Sequence, residues 1–443
     1  MARYYVISPN VWNYKNESEI QRLTEEMLSK HIVLMGWTPQ EKRGMVFAQL
    51  HVGDIVLVAR RVDWKWKYHF IGSVSENYIE SDDTHDGAQC RFLNNFIDLS
   101  HLNLTLLEEW SLNGSSQIPA IAELQPARSD DNFKIVKMIE RLIREKTMNN
   151  EIVNLLLKSK NLILTGAPGT GKTYLAKNVA ANLMFDKQFA DLTDDERAQI
   201  GYVQFHPSYD YTDFVEGLRP VDDGGKGIGF ERKDGVFKEF CKKAIVGSLD
   251  RYVFIIDEIN RGEVSKIFGE LFNAIESGYR GTDGCIKTQY QNLVKQTDVF
   301  YSGFFVPKKV LIIGTMNDID RSVESIDFAF RRRFAWKEIK ATDTQSMLNN
   351  LGRLTTEAKL RMDSLNDAIW NGKEGIEGLS SSYHIGAAYF LKLNEIEGDD
   401  EKRFSNLWDY HIKPLLREYL RGIDDVSIKL EKLENAYNLR NDS

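Results

Sequence analysis

Eight consecutive residues constrain this chain more than any others: Gly166, Ala167, Pro168, Gly169, Thr170, Gly171, Lys172 and Thr173. They match G-x-x-x-x-G-K-[ST] in full. A short apolar strand, LILT, precedes them, and a helical pattern, YLAKNVAANLM, follows. Glycines let successive backbone N–H groups turn toward a phosphate, and the helix N-terminus adds its dipole. In this layout Lys172 reaches the β- and γ-phosphates of a nucleotide, and the Thr173 hydroxyl binds Mg²⁺. A chance glycine-rich turn would not bring a strand before and a helix after. From residue 161 onward strands and helices alternate, which predicts an α/β P-loop domain with a parallel sheet. The last hundred residues read mainly helical.

Two later strands supply the rest of a hydrolytic site. Residues 252–256 form an apolar run that ends on Asp257 and Glu258. A carboxylate at the C-terminal edge of a parallel strand lies beside the phosphate loop. Asp257 would join Thr173 around Mg²⁺, and Glu258 would polarise the attacking water. Residues 310–313 read as another buried strand, and Asn317, just past its end, would orient that water. Plain Asn-Asp turn chemistry is the alternative there. Arg331, Arg332 and Arg333 then place three cations in a row. A guanidinium delivered to a neighbouring subunit's γ-phosphate is worth roughly 10³–10⁵ in rate. A basic surface is the other use, expected for at least one of the three.

The first quarter differs in kind. It holds five of the eight tryptophans, and ARYYVIS, GDIVLVAR and KYHFIGSVS read as strands around one helix. A small α+β, barrel-like domain over residues 1–125 is expected, with residues 113–131 as its linker. Arg60, Arg61, Lys65 and Lys67 interleave with Trp64 and Trp66 across one hairpin. Cations contact phosphate, and aromatic faces stack a base taken out of the duplex. Trp12 and Trp37 would complete such a cage. The competing reading puts these tryptophans in the barrel core. Trp64 and Trp66 share one strand face, so both point inward or both are available. His51 and His69 lack metal-like spacing and read as structural. The net charge of −8 confines any nucleic-acid site to a local basic face.

Composition narrows the setting. Three scattered cysteines, Cys90, Cys241 and Cys285, exclude a disulfide scaffold and fit a reducing cytoplasm. No apolar run reaches the ~18 residues that a membrane span needs, so no membrane role is expected. The opening MARYYVISPN lacks the order of a secretory signal. The polar stretch 278–307 is long for a loop and reads as a pore- or partner-facing segment, or as a hairpin insert with no contact role.

The order of GAPGTGKT, FIIDE, TMN and FRRRF resembles that of AAA+ motor domains, and finer details resemble the McrB family. YVQFHPSYDYTDFVEGLRP is similar to a stretch that McrB-like proteins carry between phosphate loop and acidic pair. MNDIDRSVESIDFAFRRRFAW, HIGAAYF and IKPLLREYL match the family further on. The resemblance covers about residues 151–420. It implies an AAA+ core over 148–340 and a helical lid over 341–443, with residues 126–147 as linker and helix. It also implies a hexameric ring, with the arginines acting in trans. GTP is the implied nucleotide, with ATP as the alternative. The implied partners are DNA and a separate McrC-like nuclease subunit, since no nuclease motif stands in this chain. The first 125 residues lie outside it; their V-G-D-I-V-L-V-A-R and F-I-G-S-V patterns resemble the PUA/EVE barrels. Asn317-Asp318-Ile319-Asp320 has the N-x-x-D spacing that reads guanine in small GTPases, but its strand position places Asn317 at the γ-phosphate. HIGAAYF also lacks the arginine that many AAA+ lids carry. The alternative function is a MoxR-like ATPase that remodels a protein, with the first domain as adaptor.

Overall fold

The computed structural model describes residues 3–8, 17–37, 40–62, 65–76, 89–99, 120–222, 228–319 and 328–439. The chain divides into two compact units, Met1–Met148 and Asn149–Ser443.

The first unit is built on six strands: β1 (Tyr4–Ile7), β2 (Ile32–Met35), β3 (Ile55–Val62), β4 (Lys65–Val74), β5 (Gln89–Asp98) and β6 (Ile121–Glu123). They form one sheet in the order β2-β5-β4-β3-β1-β6, with β1 and β3 parallel and the other pairs antiparallel. Apolar residues on both faces require a cover on each. On one face Leu23 and Met27 of α1 (Glu17–Lys30) and Phe47 of α2 (Lys42–Ala48) pack against Val56, Val58 and Phe70. On the other, Ile135, Val136, Met138 and Ile139 of α3 (Asp130–Ser159) pack against Leu57, Ala59, Trp66 and Ile71. The 3.6-residue spacing predicts a shorter helix, over 132–146. The helix runs on because Met148, Ile152 and Leu156 continue the apolar stripe in four-residue steps, all buried.

This arrangement corrects the expected base cage. Trp66 is only 3% exposed and belongs to the core beneath α3. Arg60 is buried as well. A bulge causes part of this. The β3–β4 register shifts between Val58 and Ala59, where Val58 pairs Phe70 and Ala59 pairs Tyr68, so His69 is the extra residue. A bulge re-aims the side chains on either side of it, and Trp66 and Phe70 accordingly lie in opposite cores. Burial also pushes the His69 imidazole down to about 4, so it stays neutral, a structural histidine. Trp12, Trp64 and Trp110, and the side chains of Arg61 and Lys65, lie outside the described residues. Lys67 is exposed, and Trp37 is half-buried with the Arg43 guanidinium 5.1 Å from its ring.

The second unit opens with a parallel sheet of β7 (Asn161–Thr165), β8 (Gly201–Gln204), β11 (Tyr252–Asp257), β12 (Val310–Thr315) and β13 (Ala335–Glu338), ordered β13-β7-β12-β11-β8; an antiparallel pair, β9 (Glu216–Asp222) and β10 (Ile228–Asp234), stands beside it. Helix α4 (Lys172–Phe185) follows the phosphate loop, and α5 (Val236–Val246) follows the hairpin. The core is aromatic: Phe205, Phe214, Phe237, Phe254, Phe268, Phe300, Phe304 and Phe330 are all buried. The lid, α6 (Thr355–Ile369), α7 (Ala387–Leu391), α8 (Asp400–Leu407), α9 (Lys413–Tyr419) and α10 (Val426–Tyr437), has its own core around Met362, Phe390, Trp408 and Tyr437. No described helix is long and apolar enough to cross a membrane.

The long stretch 278–307 is no free loop. Val294, Phe300, Phe304 and Val306 are buried in the main core. Asp298 joins an ion-pair network that also ties down the hairpin. Glu216 and Lys238 pair at 2.6 Å, both fully buried; Arg232 reaches Glu216 at 2.7 Å and Asp234 at 2.6 Å. Lys242 pairs with Asp234 and, at 2.5 Å, with Asp298. The Tyr290 N–H donates to Glu216 at 2.9 Å and Asp298 lies 3.5 Å from Arg232, so the segment is tied to the hairpin at two points.

Candidate nucleotide site

The site forms at the C-terminal ends of β7, β11 and β12, where the chain leaves each strand. Gly171 has φ +79° and caps α4 in the left-handed region, which a side chain rarely adopts. The turn aims Lys172 back into the loop. Its ammonium donates to the carbonyls of Gly166 (2.9 Å) and Ala167 (2.8 Å) and to Asn317 Oδ1 (2.9 Å). Burial pushes this ammonium down to about 8, against the pull of Glu258, Asp318 and Asp257.

Asn317 bridges onward. Its Nδ2 donates to Glu258 Oε1 at 2.8 Å. An ammonium can only donate and a carboxylate can only accept, so the orientation of the amide follows from its two neighbours. Both ends of Asn317 are thus engaged at the phosphate loop, where its strand position places it; Asp320 lies outside the described residues. Glu258 has φ +51° and ψ +47°, an uncommon conformation for a non-glycine residue and one that clusters at functional sites. Burial raises its carboxyl above the ordinary range, opposed by Arg261, whose Nε lies 3.3 Å from Oε2.

Asp257 is held by hydroxyls. Its Oδ1 accepts from Thr173 at 2.6 Å and from Thr315 at 2.5 Å, and its Oδ2 accepts from Tyr202 at 3.0 Å. Burial, then the Asp257 charge, pushes the Tyr202 phenol up to about 12, so it stays a donor. Among the described residues no cluster of three His, Cys, Asp or Glu side chains could hold a metal by itself. The Thr173 hydroxyl with one carboxylate is a hard, all-oxygen set that fits Mg²⁺, an ion usually bound by one or two carboxylates together with substrate phosphates.

The lid meets the loop through two backbone donors and one hydroxyl. The Gly386 N–H donates to the Pro168 carbonyl (3.2 Å), the Ala388 N–H to Gly169 (2.9 Å), and the Thr344 hydroxyl to Thr170 (2.5 Å). A Cβ at Gly386 would lie 2.1 Å from the Gly169 carbonyl carbon, so only glycine allows this approach. HIGAAYF therefore contacts the loop without an arginine.

The three arginines part company. Arg331 and Arg332 are exposed, and Arg331 lies over the Trp336 ring at 4.9 Å. Arg333 is buried; its guanidinium bonds the Ala329 carbonyl (2.5 Å) and Asn273 Oδ1 (3.2 Å). That corrects its expected role, because a side chain committed to its own core cannot reach a neighbour's phosphate. Sequence reasoning assigned no role to Tyr202, Thr315 or Gly386. Their only signals were a place in the family-like stretch, a place beside Asn317, and the small-residue run Gly-Ala-Ala.

A family model described as an AAA domain of the dynein-related subfamily matches residues 161–334, and a model of the McrB α-helical lid domain matches residues 357–427. The type IV methyl-directed restriction enzyme EcoKMcrB subunit of Escherichia coli K12 is 34% identical over 69% of this chain. The chain carries an AAA domain followed by a lid domain of the McrB type. It spans 62% of the length of that relative. Component YdiS of the type II restriction enzyme BsuMI of Bacillus subtilis 168 is 22% identical, over 63% of this chain and 87% of YdiS. A McrB-like AAA domain is a P-loop enzyme that hydrolyses a nucleoside triphosphate with Mg²⁺.

The depressed Lys172 ammonium gives a proton-linkage prediction. Above its value of about 8 the free protein holds Lys172 largely neutral. A bound polyphosphate favours the charged form, so binding at about pH 9 takes up close to one proton and binding well below pH 8 takes up none at Lys172. Calorimetry at about pH 9 in two buffers of different ionisation enthalpy measures this. Identical apparent binding enthalpies in both would contradict it.

Proposed function

We propose that this chain is the nucleotide-driven motor of a McrBC-like restriction system in the cytoplasm, using GTP in preference to ATP. The observation that carries this reading is the Lys172–Asn317–Glu258 chain lying under a lid of the McrB type. Water attacks the γ-phosphorus, the bond to the β-phosphate oxygen breaks, and Glu258 takes the water's proton. Asn317 sets the Glu258 carboxylate against the Lys172 end of the site. Thr173 and Asp257 would hold Mg²⁺, which supplies positive charge against the phosphates. The preference for GTP draws its support from the family resemblance.

The reading extends to partners. Subunits assemble into a hexameric ring with Arg331 or Arg332 reaching a neighbour's γ-phosphate. The first unit recognises DNA, and hydrolysis drives a separate nuclease subunit. Both curated relatives are named as parts of restriction enzymes, which supports this over a protein-remodelling role. With Trp66 in the core, Trp37 is the described tryptophan of this unit that keeps partial exposure.

Hydrolysis measured side by side with GTP and ATP, with and without DNA, tests the reading. GTP is expected to turn over faster; faster ATP turnover, or none with either, would overturn it. The trans arginine has its own test. Mixing Glu258→Gln protein with an Arg331→Ala/Arg332→Ala double variant should recover part of the hydrolysis that each lacks alone. No recovery at any ratio, with assembly confirmed by light scattering, argues for a role in cis.

A further inference from the structure

Three hydroxyls converge on Asp257, and two of them share one oxygen. Thr173 and Thr315 both donate to Oδ1. Only Tyr202 donates to Oδ2, at 3.0 Å, among the described residues. Tyr202 comes from the neighbouring strand: β8 runs parallel to β11, with Tyr202 opposite Ile255 and Gln204 opposite Asp257. Its ring is itself held. Lys177, one helical turn into α4, places its ammonium 4.7 Å from the ring centroid. Tyr202 as a residue is 45% exposed, so it stands at the rim of the site and is not part of the core packing. A carboxylate anchored through one oxygen still swings about its terminal torsion, which is broad for aspartate. A donor on the second oxygen fixes the plane.

We propose that Tyr202 is a positioning residue for the metal: its hydroxyl fixes the plane of the Asp257 carboxylate in the orientation that receives Mg²⁺ with the nucleotide, and Lys177 holds the ring in place. This rests on the reading that Asp257 belongs to the Mg²⁺ shell. Groups that orient a metal-binding carboxylate matter almost as much as the carboxylate. Losing one typically costs ~10–100-fold in metal affinity, and a rim-exposed phenol belongs at about the tenfold end.

Tyr202→Phe removes one oxygen and leaves the ring. The full chain is titrated with Mg²⁺ while the binding of a fluorescent guanine nucleotide is followed. The same binding is then measured in excess EDTA. The half-saturating Mg²⁺ concentration should rise about tenfold, with metal-free affinity and thermal melting unchanged. Lys177→Met should move it the same way by less. An unchanged Mg²⁺ requirement in Tyr202→Phe overturns the proposal. An equal loss with and without Mg²⁺ also overturns it, since Tyr202 would then support the phosphate loop and not the metal. Asp257→Asn separates the two levels. If it leaves the Mg²⁺ requirement untouched, the assignment of Asp257 has failed, and the role of Tyr202 falls with it.

Discussion

A buried ammonium organises this site. Among the described residues, Lys172 meets two loop carbonyls, one amide oxygen and, at 3.4 Å, the Thr170 hydroxyl, with no carboxylate in hydrogen-bond contact. Removing a cation from water without a paired anion is costly, and that cost is what makes the position receptive to a phosphate. The same amide carries the consequence to Glu258. Whatever replaces Asn317 as the partner of Lys172 also alters what holds Glu258. In the proposed reaction, the acid that polarises water is thereby linked to the group that meets the γ-phosphate.

The surrounding fold keeps that link in register. Asn161, at the start of β7, donates to the Ile275 and Arg333 carbonyls, while buried Arg280 donates to Asn161 Oδ1, to Ile275 and to Val310. This staple ties β7 to β12, so the strands that deliver Lys172 and Asn317 cannot slide independently. The stretch that marks the family, residues 202–220, has a related duty. Tyr202 reaches Asp257, Tyr211 bonds Glu270 at 2.6 Å, and Glu216 centres the buried ion-pair network. Its residues brace the site and the hairpin. Buried charges at such a site are each satisfied by several partners, and breaking one partner away typically costs ~3–5 kcal/mol.

What was legible in the sequence lies close together along the chain. The phosphate loop, the acidic pair and Asn317 each directly follow an apolar strand, so their position at a sheet edge follows from local pattern alone. The expectations that fail are those that a distant element decides. Period-two alternation puts Trp64 and Trp66 on one face, but only α3 determines that the face carrying Trp66 is covered. Three adjacent arginines look alike in sequence; Asn273, far upstream, separates Arg333 from the other two. The stretch 278–307 reads as polar because Thr, Gln and Asn fill much of its middle. Phe300, Phe304 and Val306, in VFYSGFFVP, already gave it an apolar end to bury. The lid contact is hard to read because two of its three donors are backbone N–H groups, and a backbone donor leaves no side-chain signature except the glycine that permits close approach.

In the proposed mechanism Asn317 acts on hydrolysis through Glu258. A double-mutant cycle of Asn317→Ala and Glu258→Gln, read as single-turnover hydrolysis with nucleotide saturating, tests it directly. Each single variant should lose on the order of 10²-fold or more, the usual contribution of a positioned base. If the two act as one unit, the double variant should be no slower than Glu258→Gln alone by more than about twofold. Losses that multiply would show two independent contributions and would contradict the link.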